Sequence, residues 1–208
     1  MLSSTKMKKI GIMGGTFDPP HIGHLAMAKY VKKAMALDEI WFLPTGGITY
    51  KESAGLSSPK DRLQMVRRLV AEEPGFRVEP LEAESGKNSY TFETLEALRE
   101  KFPEDEFVFI VGADSLDYMD RWREPARIFQ NCIVAAVNRM GFSSRQCEEK
   151  KKMLEEKYHG EIHLISMPAV DISSTRIRQM VRDGEDVQEF VSPEVLAYIK
   201  KQRLYQNP

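Results

Sequence analysis

The chain has 208 residues, of which 42% are hydrophobic and 29% are charged, and this length can bury the core of one domain, or of one domain with a helical appendage. Its formal net charge is −1, which argues against a partner held by overall charge, such as nucleic acid or an acidic membrane surface. Two cysteines without a CxxC spacing argue against a disulfide scaffold. A membrane span needs about 18 consecutive apolar residues, and no run in the sequence is that long. We therefore expect a cytoplasmic protein.

Short apolar runs alternate with amphipathic stretches along the chain, which predicts strands alternating with helices. The predicted strands are Lys9–Met13, Glu39–Leu43, Phe76–Val78, Phe107–Val111, Cys132–Val137 and Ile162–Ser166. The predicted helices are Ile22–Met35, Pro59–Glu73, Phe92–Lys101, Pro125–Gln130, Ser144–Tyr158, Ser174–Asp183 and Pro193–Lys201. The alternation predicts an α/β fold, a parallel sheet with helices on both faces. We expect one domain over residues 1–208, with its α/β core over about 8–170 and a small C-terminal helical part over about 171–208.

The segment that follows the first predicted strand, Gly14–His24, is the most informative in the chain and reads GGTFDPPHIGH. Its first two residues, Gly14 and Gly15, allow backbone N–H groups to approach an anion closely. The helix that begins near His21 adds the positive end of its dipole. His21 and His24 lie on one face of the first turn, where we expect solvent and ligand to reach them, and both can contact one phosphoryl group. The segment therefore predicts phosphate handling of the kind that nucleotidyl transfer requires.

Two other interpretations of this segment are open. Gly-Gly and Asp-Pro pairs are common in ordinary strand-to-helix turns, although such a turn does not require two histidines. A zinc site would need three or four ligands, and the remaining histidines, His159 and His163, lie in a distant segment without a matched cysteine pair. Phosphate handling is favoured, and we expect no metal ligands among the protein side chains.

A second segment, Asp171–Arg178, precedes a predicted helix and reads DISSTRIR. Ser173, Ser174 and Thr175 can cap that helix and offer N–H and hydroxyl donors to a triphosphate. Arg178 lies one turn further on and supplies a bidentate fork for phosphate. By itself, Ser-Ser-Thr before a helix indicates only a cap. Together with the first segment it favours a nucleotide site.

These two segments resemble signatures of the HxGH nucleotidyltransferase superfamily, which includes cytidylyltransferases, phosphopantetheine adenylyltransferase and class I aminoacyl-tRNA synthetases. Gly14–His24 resembles its histidine motif, and Asp171–Arg178 resembles the ISSTxxR motif of the adenylyltransferases. Further segments are similar to those of bacterial nicotinate-nucleotide adenylyltransferases, namely Asn88–Leu95, Val111–Leu116 with the following Trp122, and Val191–Tyr205. The resemblance covers about Lys8 to Tyr205 in the family's order.

The resemblance implies a Rossmann-like fold and a set of site residues. The implied catalytic residues are His21, His24, Lys51 and Arg178. The implied ATP-binding residues are Gly14, Gly15, Thr16, Phe17, Gly112, Asp114, Ser173, Ser174 and Thr175. The implied residues for the second substrate are Tyr90, Thr91 and Trp122, with Trp122 stacking on a pyridine ring. Each also has a structural explanation: Thr91 or Asp114 as a helix cap, Gly112 as a turn residue and Trp122 as a packing residue.

One loop departs from the family pattern. The family usually has a Pro-His-Lys run after the second strand, and this chain has Thr49-Tyr50-Lys51. Lys51 is kept, whereas Tyr50 replaces the histidine and carries no charge at neutral pH.

The resemblance implies adenylyl transfer from ATP to nicotinate mononucleotide, which gives deamido-NAD and pyrophosphate in NAD biosynthesis. Mg²⁺ is expected to enter with ATP rather than in a dedicated protein cage. ATP and the mononucleotide are the expected partners. We expect neither nucleic acid nor a membrane as a partner. A homo-oligomer is compatible with the sequence. The alternatives are a sister adenylyltransferase acting on nicotinamide mononucleotide or phosphopantetheine, and a non-catalytic nucleotide-binding module.

Overall fold

A computed structural model of the chain describes residues 7–47, 56–85, 89–139, 144–168 and 170–206. Within these ranges, six parallel strands form one sheet in the order β3-β2-β1-β4-β5-β6. The strands are Lys9–Gly15 (β1), Glu39–Pro44 (β2), Phe76–Val78 (β3), Glu106–Gly112 (β4), Ile133–Arg139 (β5) and Ile162–Met167 (β6). Every predicted strand is present, and the predicted Rossmann-like α/β fold is confirmed.

The helices also follow the predicted order. In the part of the chain that the structure describes they are Ile22–Ala34 (α1), Pro59–Val70 (α2), Leu81–Ser85 (α3), Thr91–Lys101 (α4), Pro125–Asn131 (α5), Ser144–Tyr158 (α6), Ser174–Arg182 (α7) and Pro193–Gln202 (α8). The largest shift is at the end of α2, which stops at Val70 rather than Glu73. Helix α3 and the 3-10 helices Ala113–Asp117 and Met119–Arg121 were not predicted, because each is too short to show a helical period.

The pairing and burial of the strands explain why short apolar runs in the sequence predict them. Ile12 of β1 lies opposite Phe109 of β4, and Val108 of β4 lies opposite Ile133 of β5. Ile12 and Val108 have no solvent exposure. Parallel strands buried on both faces need apolar residues at successive positions, which is the pattern in the sequence.

Helix caps place the starts of α2 and α8 where the sequence predicts them. The Ser58 hydroxyl accepts a hydrogen bond from the Asp61 N–H at 3.1 Å, and the Ser192 hydroxyl accepts one from Val195 at 3.3 Å. A proline follows each serine at the first helical position, where its missing N–H costs nothing. These contacts explain why both helices begin at the predicted residues, Pro59 and Pro193.

The chain divides into two compact units. The first unit comprises residues 1–13, 30–40 and 90–168, and the second comprises residues 14–29, 41–89 and 169–208. The single domain expected from the sequence, with its boundary near residue 170, stays a prediction. Within the described ranges, none of the helices is long and apolar enough to cross a membrane.

Candidate active site

The turn after β1 is built around a buried phenylalanine. Phe17 adopts a left-handed backbone conformation, with φ of 51°, and is 2% exposed. Its ring packs against Phe42 at 5.5 Å and meets the ring of His24 edge-on at 5.0 Å. A Cβ at position 15 would lie 3.0 Å from the Phe17 ring, which is tighter than an ordinary contact, so Gly15 favours this close approach. The turn is therefore held by packing as well as by its glycines.

The two motif histidines contact each other directly. Their rings stack with centroids 3.7 Å apart, and the His21 N–H donates to His24 Nδ1 at 3.2 Å. His24 thus satisfies the N–H just before α1, as a glutamate does in a capping box. Because Nδ1 accepts this bond, the proton of the neutral His24 ring lies on Nε2.

The predicted accessibility of these histidines is wrong for His21, which is only 4% exposed, while His24 is half-buried. Gly23 explains the burial, because a Cβ there would lie 3.0 Å from the His21 ring and 3.3 Å from Ile172. Glycine at this position lets the segment before α7 approach the histidine closely. A contact of this kind depends on residues far apart in sequence, so the motif did not reveal it.

The second motif lies against the first within the second unit. Ser173 caps α7, since its hydroxyl accepts from the Arg176 N–H at 3.2 Å. The Ser174 hydroxyl donates to the Pro19 carbonyl at 2.8 Å. Arg178 Nη1 donates to the Asp18 carbonyl at 2.7 Å, and Nη2 donates to the Thr175 hydroxyl at 3.3 Å. The backbone just before His21 is therefore tied to the start of α7.

A buried arginine below this turn was missed by the sequence analysis. Arg62 of α2 is 1% exposed and donates to the carbonyls of Thr16 at 2.9 Å, Gly46 at 2.7 Å and Ser57 at 3.3 Å. Burial lowers the pKa of the Arg62 guanidinium, while the nearby Asp18 acts in the opposite direction. Arg62 joins the turn after β1, the exit of β2 and the start of α2.

A sequence signal for Arg62 does exist. It lies three, four and seven residues before Met65, Val66 and Leu69, which form the buried face of α2. A charged residue on the apolar face of an amphipathic helix indicates a buried charge with a dedicated partner.

The acidic residue of the first motif, Asp18, was also missed. It is 1% exposed, and its carboxylate accepts from the Ser57 N–H at 3.0 Å and from the Tyr205 hydroxyl at 2.5 Å. Burial raises the pKa of Tyr205 above its ordinary value, and the Asp18 carboxylate raises it further, so Tyr205 remains a donor. The local sequence contains no signal for this contact.

The other predicted site residues belong to the first unit. Tyr90 precedes α4 and its N–H donates to the Glu93 carboxylate at 3.0 Å, so Thr91 is the first helical residue rather than the cap. Tyr90 is exposed, and Arg123 lies over its ring at 4.8 Å. Trp122 is half-buried, with Phe109 edge-on at 6.3 Å. The Phe109 ring therefore packs against the indole of Trp122.

Gly112 and Asp114 follow the end of β4. A Cβ at Gly112 would overlap the Asp114 carboxylate, so the glycine allows that side chain to fold back over the strand end. Asp114 is exposed in a 3-10 helix. Gly112, rather than Asp114, directly precedes this 3-10 helix, so Asp114 is not its cap.

Two further expectations concern the loop residues Lys51 and Tyr50 and the binding of metal ions. Lys51 and Tyr50 lie outside the described residues, so their predicted roles have no structural counterpart here. Among the residues that are described, no three or more histidine, cysteine or acidic side chains are grouped so that they could hold a metal ion.

Comparisons with known proteins agree with the motifs. The profile of the cytidylyltransferase-like family matches residues 12–180. The chain is 38% identical over 199 residues to a probable nicotinate-nucleotide adenylyltransferase of Shouchella clausii, covering 96% of this chain and 97% of that protein. It is 40% identical over 201 residues to a probable nicotinate-nucleotide adenylyltransferase of Dehalococcoides mccartyi, covering 95% and 97%.

A solved structure has the same fold. The Plasmodium falciparum nicotinic acid mononucleotide adenylyltransferase complexed with NaAD superposes with a TM-score of 0.78 at 22% identity, over 95% of this chain and 97% of that one. With its two nucleotide motifs held together in the second unit and full-length similarity to these relatives, the chain belongs to the cytidylyltransferase-like family and, within it, to the nicotinate-nucleotide adenylyltransferases.

Proposed function

We propose that this chain transfers the AMP group of ATP to the 5′-phosphate of nicotinate mononucleotide, which yields deamido-NAD and pyrophosphate. The observation that carries the proposal is the joining of the two motifs, in which Arg178 and Ser174 donate to the carbonyls of Asp18 and Pro19. It brings two histidines, a helix N-terminus and a guanidinium into one phosphate-binding region. The relatives that match over the full length carry the name of this activity.

The chemistry requires no protein nucleophile. An oxygen of the mononucleotide phosphate attacks the α-phosphorus of ATP in line, a new P–O bond forms, and pyrophosphate leaves with the electron pair of the broken bond. The protein therefore acts by positioning both substrates and by stabilising the charge on the transferred and leaving groups. Mg²⁺ enters as part of the ATP substrate, held through phosphates and water.

Each predicted site residue of the second unit has a role in the proposed reaction. His21 and His24 contact the ATP phosphates, and the backbone of Gly14–Phe17 supplies N–H donors. Ser173, Ser174 and Thr175 offer donors at the N-terminus of α7. Since a guanidinium carries five N–H donors, its contacts with Asp18 and Thr175 orient Arg178 without exhausting it. Arg178 and Lys51 stabilise the pyrophosphate charge, the latter on the family resemblance alone.

Residues of the first unit recognise the nucleoside parts of the two substrates, nicotinate mononucleotide and ATP. The donors at the start of α4, around Tyr90 and Thr91, suit the carboxylate of the nicotinate ring. The half-buried indole of Trp122 suits stacking on an electron-poor pyridinium. Gly112 and Asp114 suit the ribose of ATP.

Pyrophosphate release tests the function. The purified protein with MgATP is assayed against nicotinate mononucleotide, nicotinamide mononucleotide and phosphopantetheine, and the product is identified by mass spectrometry. We expect kcat/KM for the acid form to exceed that for the amide at least ~10²-fold, because donors aimed at a carboxylate are mismatched to an amide NH₂. Equal values would indicate a dual-specificity enzyme, and turnover of phosphopantetheine alone would indicate the sister activity. No turnover with ATP binding retained would indicate a non-catalytic module.

We further infer a cytoplasmic location and no nucleic-acid partner. Cys132 and Cys147 are both buried free thiols, which suits a reducing compartment. The net charge of −1 supplies no field to hold nucleic acid. Self-association into a homo-oligomer stays a prediction, and size-exclusion chromatography with light scattering measures it.

A further inference from the structure

The C-terminal end of the chain reaches the turn that carries the motif histidines. Tyr205 follows α8, and its hydroxyl donates to Asp18 Oδ1 at 2.5 Å. The other carboxylate oxygen of Asp18 accepts from the Ser57 N–H at 3.0 Å. Both oxygens of this buried carboxylate are therefore held, one by the backbone before α2 and one by a residue 187 positions away. A buried carboxylate needs such donors, because an unsatisfied one costs several kcal/mol.

The backbone that carries Tyr205 adopts an uncommon conformation. Helix α8 ends at Gln202, and φ is 53° at Arg203 and 64° at Tyr205. A non-glycine residue seldom occupies this left-handed region, and a bulky aromatic residue there is held by its surroundings. The surroundings here are the Asp18 carboxylate and the Met65 sulfur, 3.8 Å from the phenol oxygen. The segment that follows α8 therefore turns back so that the Tyr205 phenol meets Asp18.

Asp18 connects this contact to the phosphate-binding residues. Its own carbonyl accepts from Arg178, and the next carbonyl, of Pro19, accepts from Ser174. Two residues later the chain reaches His21. A shift of the Asp18 side chain therefore moves the acceptors that orient Arg178 and Ser174.

We propose that Tyr205 is a positioning residue for adenylyl transfer, which acts through Asp18 on the backbone that orients Arg178, Ser174 and His21 and does not itself touch substrate. The inference rests on the proposed function, since it assumes that these residues bind the ATP phosphates. It assigns a role in turnover to the C-terminal segment, in addition to its packing on α2.

Helix α8 offers a matched control. Tyr198 also donates its hydroxyl to a carboxylate, that of Asp61 at 2.8 Å, and Arg68 lies over its ring at 4.2 Å. This hydrogen bond links α8 to α2, and Tyr198 does not contact the turn between β1 and His21. Tyr198→Phe removes one hydroxyl within α8, and Tyr205→Phe removes one from the residues that follow it, so a loss of packing alone would affect both in the same way.

The experiment compares kcat, KM for ATP and melting temperature for both variants. We expect Tyr205→Phe to lower kcat ~10-fold or more with KM for ATP within about threefold, because misalignment affects the transition state more than ground-state binding. Tyr198→Phe should keep kcat within about twofold while losing comparable thermal stability. Equal kcat values for the two variants would overturn the proposal.

A double-mutant cycle tests the route through Asp18. In an Asp18→Asn background, Tyr205→Phe should lower kcat by less than about twofold, because the contact through which it acts is already altered. A full additional loss would show that Tyr205 acts by another route and would overturn the proposal. The result is independent of the proposed function's own test: an inactive wild type rejects the proposed function, whereas an active wild type with an unaffected Tyr205→Phe variant rejects only the positioning role.

Discussion

At the scale of single residues, the second unit contains two buried charged groups that support the histidine turn. Arg62 and Asp18 are each 1% exposed. Arg62 donates to three loop carbonyls, and the Asp18 carboxylate accepts from the Ser57 N–H and the Tyr205 hydroxyl. Burying a charge is unfavourable unless it is paired and hydrogen-bonded. Their contacts reach Thr16, Gly46 and Ser57, so the two charged groups hold the described parts of the surrounding loops together.

Arg62→Lys should therefore destabilise the protein although it preserves the charge. An ammonium group cannot reach the carbonyls of Thr16, Gly46 and Ser57 together, as the planar guanidinium does. We expect the free energy of unfolding to fall by about 3 kcal/mol, the scale for disrupting a buried charged network. Urea denaturation measures it, with Arg67→Lys as the control, because Arg67 lies on the same helix but is exposed beside Glu84. Similar losses for both variants would contradict a special role for Arg62.

His21→Ala should reduce activity and stability together. Loss of a preorganised donor to the ATP phosphates is expected to lower kcat/KM ~10²-fold. Since His21 is 4% exposed and stacks on His24, its removal should also lower the free energy of unfolding by about 2 kcal/mol, or about 4–8 °C in melting temperature. Steady-state kinetics and thermal unfolding measure the two effects. His163→Ala, at an exposed histidine beside Glu161, should change neither, and full activity in His21→Ala would reject the assignment.

At the scale of secondary-structure elements, α7 joins structural and chemical roles at its N-terminus. The Ser173 hydroxyl caps the helix, while the same end supplies the donors proposed for the ATP triphosphate. A cap and an anion site both exploit unsatisfied N–H groups in the first turn. The two roles respond differently to added negative charge, which allows them to be separated.

Ser173→Asp provides this separation. Aspartate caps a helix as well as serine does, so the melting temperature should change little. A carboxylate beside the triphosphate should repel it, and KM for ATP should rise about tenfold, which corresponds to about 1.4 kcal/mol. The matched variant, Ser192→Asp, alters the equivalent cap of α8 and should leave KM for ATP unchanged. An unchanged KM in Ser173→Asp would indicate that this serine acts only as a cap.

At the scale of the whole molecule, the predicted site residues are divided between the two units. The residues proposed to handle phosphate belong to the second unit, and Tyr90, Thr91, Gly112, Asp114 and Trp122 belong to the first. The division suggests that changes in the first unit affect the recognition of the mononucleotide separately from that of the ATP phosphates.

Trp122→Ala tests this separation. Loss of an aromatic face should raise KM for nicotinate mononucleotide about tenfold, at the upper end of about 0.5–1.5 kcal/mol for one aromatic contact, with KM for ATP within about threefold. Tyr158→Ala removes another half-buried aromatic residue of the first unit, one that stacks on Phe129 at 5.4 Å, and should leave both constants unchanged. Equal increases for the two substrates in Trp122→Ala would contradict selective recognition of the pyridine.

The sequence by itself determined the order of strands and helices, the starts of α2 and α8 and the two nucleotide motifs. Each of these depends on residues within one or two turns of each other, so the local pattern is sufficient. The one residue with a visible but unused signal is Arg62, a charge on an apolar helix face. The short α3 helix left no signal because it is shorter than two helical turns.

Only the tertiary structure decided the burial of His21, the contact of Ser174 and Arg178 with the turn before it, and the hydrogen bond between Tyr205 and Asp18. These contacts join residues separated by more than 150 positions, and their partners are selected by where the chain returns in space. No local periodicity or spacing encodes such a return. The sequence thus determined which chemical groups this protein has for phosphate transfer, while the packing of its distant segments decided how those groups are held.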